Sequence, residues 1–232
     1  MLFTLDYILD ILCLFFYLSG WFGYISFANN KAKSKDCLMT ARNQYLRDWM
    51  HALSNREIKI ADATLISLLA RNVTFFASTS MLIMVGLLSS LAYLEDLNII
   101  IAKVPYAIVA STDMLALKIV LLILAYIYAF FSFTWSIRQY NFSAMMVGSM
   151  LPFDERSEQK SRHAENAGRV ISLAANSFNY GLRAYYFSLA ALAWFIHPLL
   201  LIFSTLWVLM VLYRREFKSK TLKAMSNRDP VK

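Results

Sequence analysis

The longest uncharged segment of the chain limits its fold more than any other feature. The thirty residues from Ala184 to Tyr213 contain no Asp, Glu, Lys or Arg, and Arg214 and Arg215 follow directly. A run this long and apolar is typical of a helix in a bilayer rather than in a soluble core. As one helix it would be about 45 Å long, against a hydrocarbon core of about 30 Å. We therefore expect either one long helix kinked at Pro198 or a helical hairpin folded at that proline.

Three further apolar runs extend this interpretation to the whole chain. The protein has 232 residues, of which 59% are hydrophobic, and its mean hydropathy is +0.48. The apolar residues are concentrated in blocks, which indicates an integral membrane protein. The fold class we predict is an all-α membrane helical bundle in a single domain, residues 1–232, with four long transmembrane helices and amphipathic cytoplasmic helices. The expected spans are 7–27, 73–94, 115–140 and 184–213, the cytoplasmic helical sections are about 39–70 and 158–182, and a basic tail covers 214–232.

The distribution of basic residues predicts the orientation in the membrane. Eight of the 23 bases lie between the first two spans, two in the middle connection, six from Arg138 to Arg183, and seven in the tail. By the positive-inside rule, the first and third polar sections are cytoplasmic and the N-terminus is outside. Four simple spans would leave the basic tail outside, whereas a hairpin at Pro198 would bring it inside. Proline in a transmembrane helix usually produces a kink. We therefore favour the kinked helix and keep the hairpin as the alternative.

Three charged residues stand inside or beside apolar spans on the same predicted side. Asp6 and Asp10 share one face at the start of the first span, and Lys118 lies near the start of the third. An isolated charge in the hydrocarbon region is costly unless it is paired. We predict that one of the two aspartates pairs with Lys118 and holds these spans together. A proton or cation site is the alternative interpretation.

The sequence contains no pattern that identifies catalysis. Phosphate-binding, dinucleotide-binding, zinc-protease and nucleophile-elbow motifs are all missing from the sequence. Cys13 and Cys37 form no metal-binding spacing, and His197 is the one histidine in a span. We therefore predict no catalytic residues, no cofactor and no metal, and we expect His197 to hydrogen-bond near Pro198. The net charge of +8 favours anionic lipid headgroups over nucleic acid, because the bases flank the spans.

Several short motifs resemble one family over nearly the whole chain. They are Arg47-x-Trp49, Arg56 followed by Asp62, Asn72-x-x-Phe75-Phe76-Ala77-Ser78-Thr79-Ser80, Phe178-Asn179-Tyr180-Gly181-Leu182-Arg183-Ala184-Tyr185-Tyr186-Phe187, Trp194-Phe195 with Pro198, and Tyr213-Arg214-Arg215-Glu216-Phe217. In this order they look like domain-of-unknown-function family 599. The resemblance implies a multi-span membrane protein of bacteria or plants without an established activity, and it supplies no catalytic residues.

The motif residues are predicted to gather at the cytoplasmic face as a collar. The collar comprises Arg47, Trp49, Arg56, Asp62, Arg71, Asn72, Asn179 and Arg183. It would lock the cytoplasmic helices to the spans, or bind an anionic lipid headgroup or a protein partner. We expect a non-enzymatic scaffold or accessory subunit, in a complex or a homo-oligomer, in the bacterial inner membrane. The alternative is a lipid or small-molecule carrier or channel lined by Ser78, Ser80, Tyr126 and Tyr185.

Overall fold

In a computed structural model, the chain is described for residues 2–32, 37–152 and 157–226, with side chains from Ile8 onward. The side chain of Asp6 and the last six residues of the basic tail therefore lie outside the described part. Within that part the secondary structure is helical, without strands. The α-helices are α1 (Leu2–Lys31), α2 (Leu38–Ser54), α3 (Ile60–Ser90), α4 (Leu94–Ile101), α5 (Thr112–Gly148), α6 (Glu158–Leu192), α7 (Pro198–Phe217) and α8 (Lys220–Ser226).

Side chains that cap free backbone groups mark where several of these helices begin. The hydroxyl oxygens of Ser111, Ser157 and Ser219 accept backbone N–H bonds in the first turns of α5, α6 and α8. At α7, His197 Nδ1 accepts the N–H of Leu199 at 3.1 Å, and Pro198 takes the first helical position, where an N–H has no intrahelical partner. These caps satisfy N–H groups that the helices themselves leave open.

Four helical segments are long enough and apolar enough to cross a membrane, which confirms the predicted fold class. They are Ile8–Lys31, Ile60–Ile101, Thr112–Gly148 and Pro198–Ser226. Half of the most apolar window of α5 is buried inside the protein, compared with 11% for the segment that begins with α3. Large apolar side chains such as Phe15, Leu82 and Phe203 point outward from their helices and are at least 66% exposed. An outer surface of this kind suits lipid rather than water.

The last apolar run forms a hairpin, so the kinked helix that we favoured from the sequence is not the form adopted. Helix α6 ends at Leu192, a 3₁₀ turn covers Ala193–Phe195, and α7 begins at Pro198. The hydroxyl of Ser204 on α7 donates a hydrogen bond to the carbonyl of Ala190 on α6 at 2.9 Å. These residues would lie about 21 Å apart along one helix, because each residue adds about 1.5 Å. The two halves therefore run side by side in opposite directions.

The second predicted span also differs in extent. The section predicted as helical at about 39–70 is divided in the structure, since α2 ends at Ser54 and α3 begins at Ile60. The expected end near Ala70 is not present, and α3 continues without interruption to Ser90. Arg71 and Asn72 are exposed on this helix. Charged and amide side chains change the surface that a helix presents, but they are compatible with helical backbone geometry.

The chain divides into two compact units. Unit 1 contains α1, the segment Ser80–Tyr128, and the segment Arg183–Arg215. Unit 2 contains α2, the first part of α3 up to Thr79, the segment Ala129–Leu182, and the chain from Glu216 onward. The helices α3, α5, α6 and α7 each contribute residues to both units. Each unit has its own buried polar cluster.

Candidate functional site

The charged pair predicted from the sequence has a counterpart in unit 1. The Nζ of Lys118 lies 3.7 Å from Oδ1 of Asp10, and both residues are buried. Trp194 joins them, because its carbonyl accepts a hydrogen bond from Lys118 Nζ at 3.0 Å and its indole N–H donates to Asp10 Oδ1. The ammonium group also lies 5.1 Å from the centroid of the Trp194 ring. Three elements therefore meet at this cluster: α1, α5 and the turn of the hairpin.

Trp194 is the member of this cluster that the sequence did not predict. It stands in the 3₁₀ turn that ends α6, where carbonyl groups lack their usual intrahelical partners. The ammonium of Lys118 uses one of these carbonyls, so the end of the helix supplies the acceptor that the buried cation needs. The available signal was the position of Trp194 four residues before Pro198, in one of the motifs that carry the family resemblance.

Three of the four residues proposed to line a carrier site also meet in unit 1. The hydroxyl groups of Ser80 and Tyr185 are 2.9 Å apart, and the rings of Tyr126 and Tyr185 pack edge to face at 5.2 Å. Ser78 is exposed and belongs to unit 2. In the same unit, the hydroxyl of Tyr17 is fully buried and has no hydrogen-bond partner within the described residues. Unit 1 thus has several polar side chains in its interior, among them one buried hydroxyl group without a partner in the described residues.

In unit 2, three of the predicted collar residues converge on one carboxylate. The indole N–H of Trp49 and Nη1 of Arg56 each donate a hydrogen bond of 2.7 Å to Oδ1 of Asp62. Asp62 is 2% exposed, whereas the side chain of Arg56 is half exposed. This cluster joins the end of α2 to the start of α3 across the short connection at residues 55–59. The cluster holds the two helices together, and the Arg56 side chain is its solvent-facing cation.

A fourth collar residue, Arg47, belongs to a second cluster in unit 2 around Glu165. The carboxylate of Glu165 accepts a hydrogen bond from Arg169 Nε at 3.0 Å, lies 3.4 Å from His51 Nε2, and lies 3.7 Å from Arg47 Nη1. The Arg169 hydrogen bond, followed by the His51 hydrogen bond and the Arg47 charge, holds the pKa of the Glu165 carboxyl below its usual value. The sequence signal was an acid four residues before Arg169 on a helix face rich in alanine.

A glycine permits α2 and α6 to meet at this second cluster. A Cβ atom at Gly168 would lie 2.9 Å from the Cα of Arg47. The backbones of the two helices are therefore closer here than any larger side chain allows. Arg42 of α2 donates a hydrogen bond to the side chain of Asn176 of α6. This is a further polar contact between the same two helices.

The other four collar residues do not join these clusters. Arg71 and Asn72 are exposed on α3, and Asn179 is half-buried on α6. None of the three is hydrogen-bonded to another collar residue within the part of the chain that the structure describes. Arg183 lies in unit 1, where its guanidinium group is 5.4 Å from the centroid of the Tyr24 ring.

These arrangements can bind and position polar groups, and they bring together few of the groups that catalysis uses. No group of three His, Cys, Asp or Glu side chains placed to hold a metal ion occurs among the described residues. Asp10 and Lys118 are each engaged by Trp194, and Glu165 is engaged by three bases. The clusters therefore hold neighbouring helices together.

The chain matches a family of known proteins. The family model described as a protein of unknown function, DUF599, matches residues 12–221, which is nearly the whole chain. No curated protein and no solved structure matches the chain. The match confirms the family that the sequence motifs resemble.

Proposed function

We propose that this chain, which belongs to the DUF599 family of proteins of unknown function, is a non-enzymatic membrane scaffold or accessory subunit that assembles with a second copy of itself. Its setting in this proposal is the cytoplasmic membrane of a bacterium, as the positive-inside distribution and the family resemblance suggest. The observation that carries the proposal is the small amount of surface that α3 buries inside the protein. Only 11% of the residues in the most apolar window of the segment Ile60–Ile101 are buried, and exposed residues such as Phe75, Leu82 and Val85 are available to lipid or to another helix.

Open small-residue positions on two helices support self-association over simple exposure to lipid. Gly23 on α1 and Gly86 on α3 are both exposed, and a Cβ at either position would meet nothing within 4 Å. On α3, Leu82 precedes Gly86 and Ser89 follows it on the same exposed face. Lipid chains are as apolar as the helix surface, so no hydrophobic driving force holds helices together in a bilayer. Helices associate there through close packing at small residues instead. The open glycines therefore fit a second copy of this chain.

Hydroxyl groups on α3 are compatible with such a helix–helix contact. Thr74 and Thr79 donate to the carbonyls of Ala70 and Phe75, four residues earlier, at 3.0 and 2.8 Å. Their hydrogen-bonding groups are thus satisfied within the helix, as the hydrocarbon region requires. These two hydroxyl groups therefore stay paired whether α3 contacts lipid or another helix.

Native mass spectrometry from a mild detergent tests this function. We expect the wild-type protein to appear as a homo-oligomer, and Gly23→Leu and Gly86→Leu to shift it toward the monomer. Gly148→Leu is the matched control, because Gly148 is also open but lies at the end of α5, in unit 2, and on neither α1 nor α3. A monomeric wild type whose mass distribution the two substitutions leave unchanged would contradict the proposal.

A lipid or small-molecule carrier is the second candidate, and the polar interior of unit 1 favours it. The Ser80–Tyr185 hydrogen bond and the buried Tyr17 hydroxyl place polar groups in the interior of unit 1, and the Tyr17 hydroxyl has no hydrogen-bond partner within the described residues. In this case a small molecule or lipid would remain bound in the same mass spectra. Tyr17→Phe, which removes only the hydroxyl, would then release it without changing the oligomeric state.

A further inference from the structure

The segment from α4 to the start of α5, residues 94–111 in unit 1, exposes apolar side chains on its outward side. The inward side of α4 packs against a buried cluster on α5 through Leu94, Leu97 and Ile101. The opposite side of the same helix carries Ile99 and Ile100, and each is more than half exposed. Half of this short helix therefore stabilises unit 1, and the other half presents apolar surface outward.

A side-chain hydrogen bond brings a third exposed apolar residue beside α4. Asn98 Nδ2 donates to the carbonyl of Ala110 at 3.2 Å, so the chain that leads into α5 returns alongside the helix. Val109, directly before Ala110, is also more than half exposed. The residues next to this bond, Ile99 and Val109, are therefore close neighbours. We call Ile99, Ile100 and Val109 the apolar patch.

The chain reversal between the two parts of the patch is rigidly held. It covers residues 102–106, and Tyr106 in it has a φ of 65°. A bulky side chain seldom adopts this left-handed conformation, which persists where surrounding contacts determine it. Hydrogen bonds at both ends of the reversal, from Lys103 to Ile100 and from Asn98 to Ala110, supply such contacts.

A second hydrogen bond indicates how deep the segment lies in the membrane. The backbone N–H of Ile108 donates to the carbonyl of Ile196, in the turn of the hairpin, at 2.9 Å. Pro198, where α7 begins, is about 24 Å from Arg214 along the helix axis, since each residue adds about 1.5 Å. The hydrocarbon core is about 30 Å thick, and basic residues mark its boundary. With Arg214 at one boundary, the turn and Ile108 lie close to the other.

The lipid-facing surface of the spans continues into the apolar patch. Leu88 near the end of α3 and Tyr93 directly before α4 are exposed, as is Leu199 directly after the hairpin turn. All three belong to unit 1. Tyrosine is enriched where a span meets the headgroups. The patch is therefore an extension of a surface that already suits lipid.

Charged side chains stand at the ends of the patch and not within it. Glu95 and Asp96 are in the first turn of α4, and Lys103 is in the chain reversal. Segments that lie in a membrane interface have this division, with apolar residues about 5–10 Å into the boundary and charged residues among the headgroups. The reversal at 102–106 accordingly faces the water.

We propose that the apolar patch inserts into the lipid surface at the end of unit 1 opposite Arg214. Its insertion anchors the segment 94–111 and the hairpin turn that Ile108 binds. The partner is the acyl layer beneath the headgroups, because the depth of Ile108 and the continuous apolar surface both place the patch there. This anchoring goes beyond self-association, since the patch includes neither Gly23 nor Gly86.

Site-directed spin labelling of the whole chain in liposomes tests the insertion. Cys13→Ala and Cys37→Ala give a cysteine-free parent, and a nitroxide is attached in Ile99→Cys or Val109→Cys. Glu95→Cys is the matched control, because Glu95 is exposed one turn before Ile99 on the same side of α4. Collisions are measured with oxygen, which concentrates in lipid, and with a nickel chelate, which stays in water. Oxygen should exceed the chelate at Ile99→Cys and Val109→Cys, and the chelate should exceed oxygen at Glu95→Cys.

Two other results would overturn the proposal. Chelate collisions that exceed oxygen collisions at all three positions would place the patch in water. Few collisions with either reagent at Ile99→Cys and Val109→Cys would show that a protein surface, such as a second copy, covers it. All three replaced side chains are exposed, so unfolding midpoints should match that of the cysteine-free parent. The number of copies in native mass spectra is a separate readout, so failure of self-association and failure of insertion are distinguishable.

Discussion

At the scale of single residues, the environment of Lys118 explains how a charge is kept inside an apolar unit. Its ammonium group is 3% exposed and interacts with the Asp10 carboxylate, the Trp194 carbonyl and the Trp194 ring. Burial of an ion costs several kcal/mol, and paired charges with additional hydrogen bonds recover most of that cost. Asp10 in turn accepts a hydrogen bond from the Trp194 indole. Each ion therefore has a polar partner in addition to the opposite charge.

Removing the charge of Lys118 alone should therefore lower the free energy of unfolding more than removing the charges of both Asp10 and Lys118. Lys118→Met leaves the Asp10 carboxylate buried without its counter-ion, and we expect a loss of about 3 kcal/mol in the free energy of unfolding. Asp10→Asn in the same chain keeps an acceptor for the Trp194 indole and should restore part of that loss. Thermal unfolding in detergent measures both changes. A double variant as unstable as Lys118→Met, or less stable, would show that the two residues do not act as a pair.

Glu165 gives a prediction about pH. Its folded-state pKa lies below the usual value because of Arg169, His51 and Arg47, so the folded state is stabilised by the ionised carboxyl. That contribution is complete above about pH 4.5, the ordinary value, and is lost as the pH falls through the lowered pKa. Below pH 4.5, unfolding midpoints should fall more steeply for the wild type than for Glu165→Gln. Parallel pH profiles of the two proteins would refute this role.

At the scale of helices, α6 packs through glycines at two places in unit 2. A Cβ at Gly168 would lie 2.9 Å from the Cα of Arg47 on α2, and a Cβ at Gly181 would lie 2.4 Å from Cε1 of Phe133 on α5. The first contact is with backbone and the second with a fully buried ring. Neither neighbour can move aside without disturbing its own helix, so both glycines determine how closely α6 approaches its partners.

Gly168→Ala and Gly181→Ala should each lower the free energy of unfolding by about 1–3 kcal/mol, the usual cost of overpacking. Gly148→Ala is the control, because its Cβ would meet nothing within 4 Å and Gly148 lies on neither helix of the proposed contact between copies. Thermal unfolding of the three variants in one detergent makes the comparison. The opposite order, with Gly148→Ala the least stable, would be incompatible with this packing.

The helices also show which features the sequence could predict and which it could not. The break after Ser54 was predictable, because amphipathic patterns on its two sides are out of phase and polar residues separate them. The continuity of α3 through Arg71 was not, because charge marks the edge of a membrane but does not end a helix. The hairpin was the less favoured of the two predicted forms, because no glycine or asparagine stands at its turn. The turn is held instead by distant groups, Asp10 and Lys118, which bind Trp194.

At the scale of the site, residue type alone predicted part of the arrangement. Asp10 and Lys118 were paired in the prediction because each is costly alone in an apolar span. The collar residues were grouped by the family motifs, and three of them meet at Asp62 because Trp49, Arg56 and Asp62 flank one short connection. Arg71, Asn72 and Asn179 carry no local pattern that decides which way they face, so their positions depended on packing that the sequence does not display.

At the scale of the whole molecule, the hairpin resolves the conflict between chain topology and charge. With three spans and a hairpin, the basic tail ends on the same side as the other basic sections, as the positive-inside rule prefers. A single kinked helix would have left seven bases on the opposite side. The hairpin also brings Ser204 beside Ala190 and Arg215 beside Tyr186, so these contacts depend on the same topology.

The most direct test of that topology is cysteine accessibility in intact cells. Cys13 and Cys37 are replaced by alanine, and single cysteines are introduced at Ser226, in the C-terminal helix α8, and at Tyr106, which is 94% exposed in the connection between α4 and α5. A membrane-impermeant maleimide should label the cysteine of Tyr106→Cys in intact cells and that of Ser226→Cys only after the membrane is opened. Labelling of Ser226→Cys in intact cells would contradict the hairpin topology.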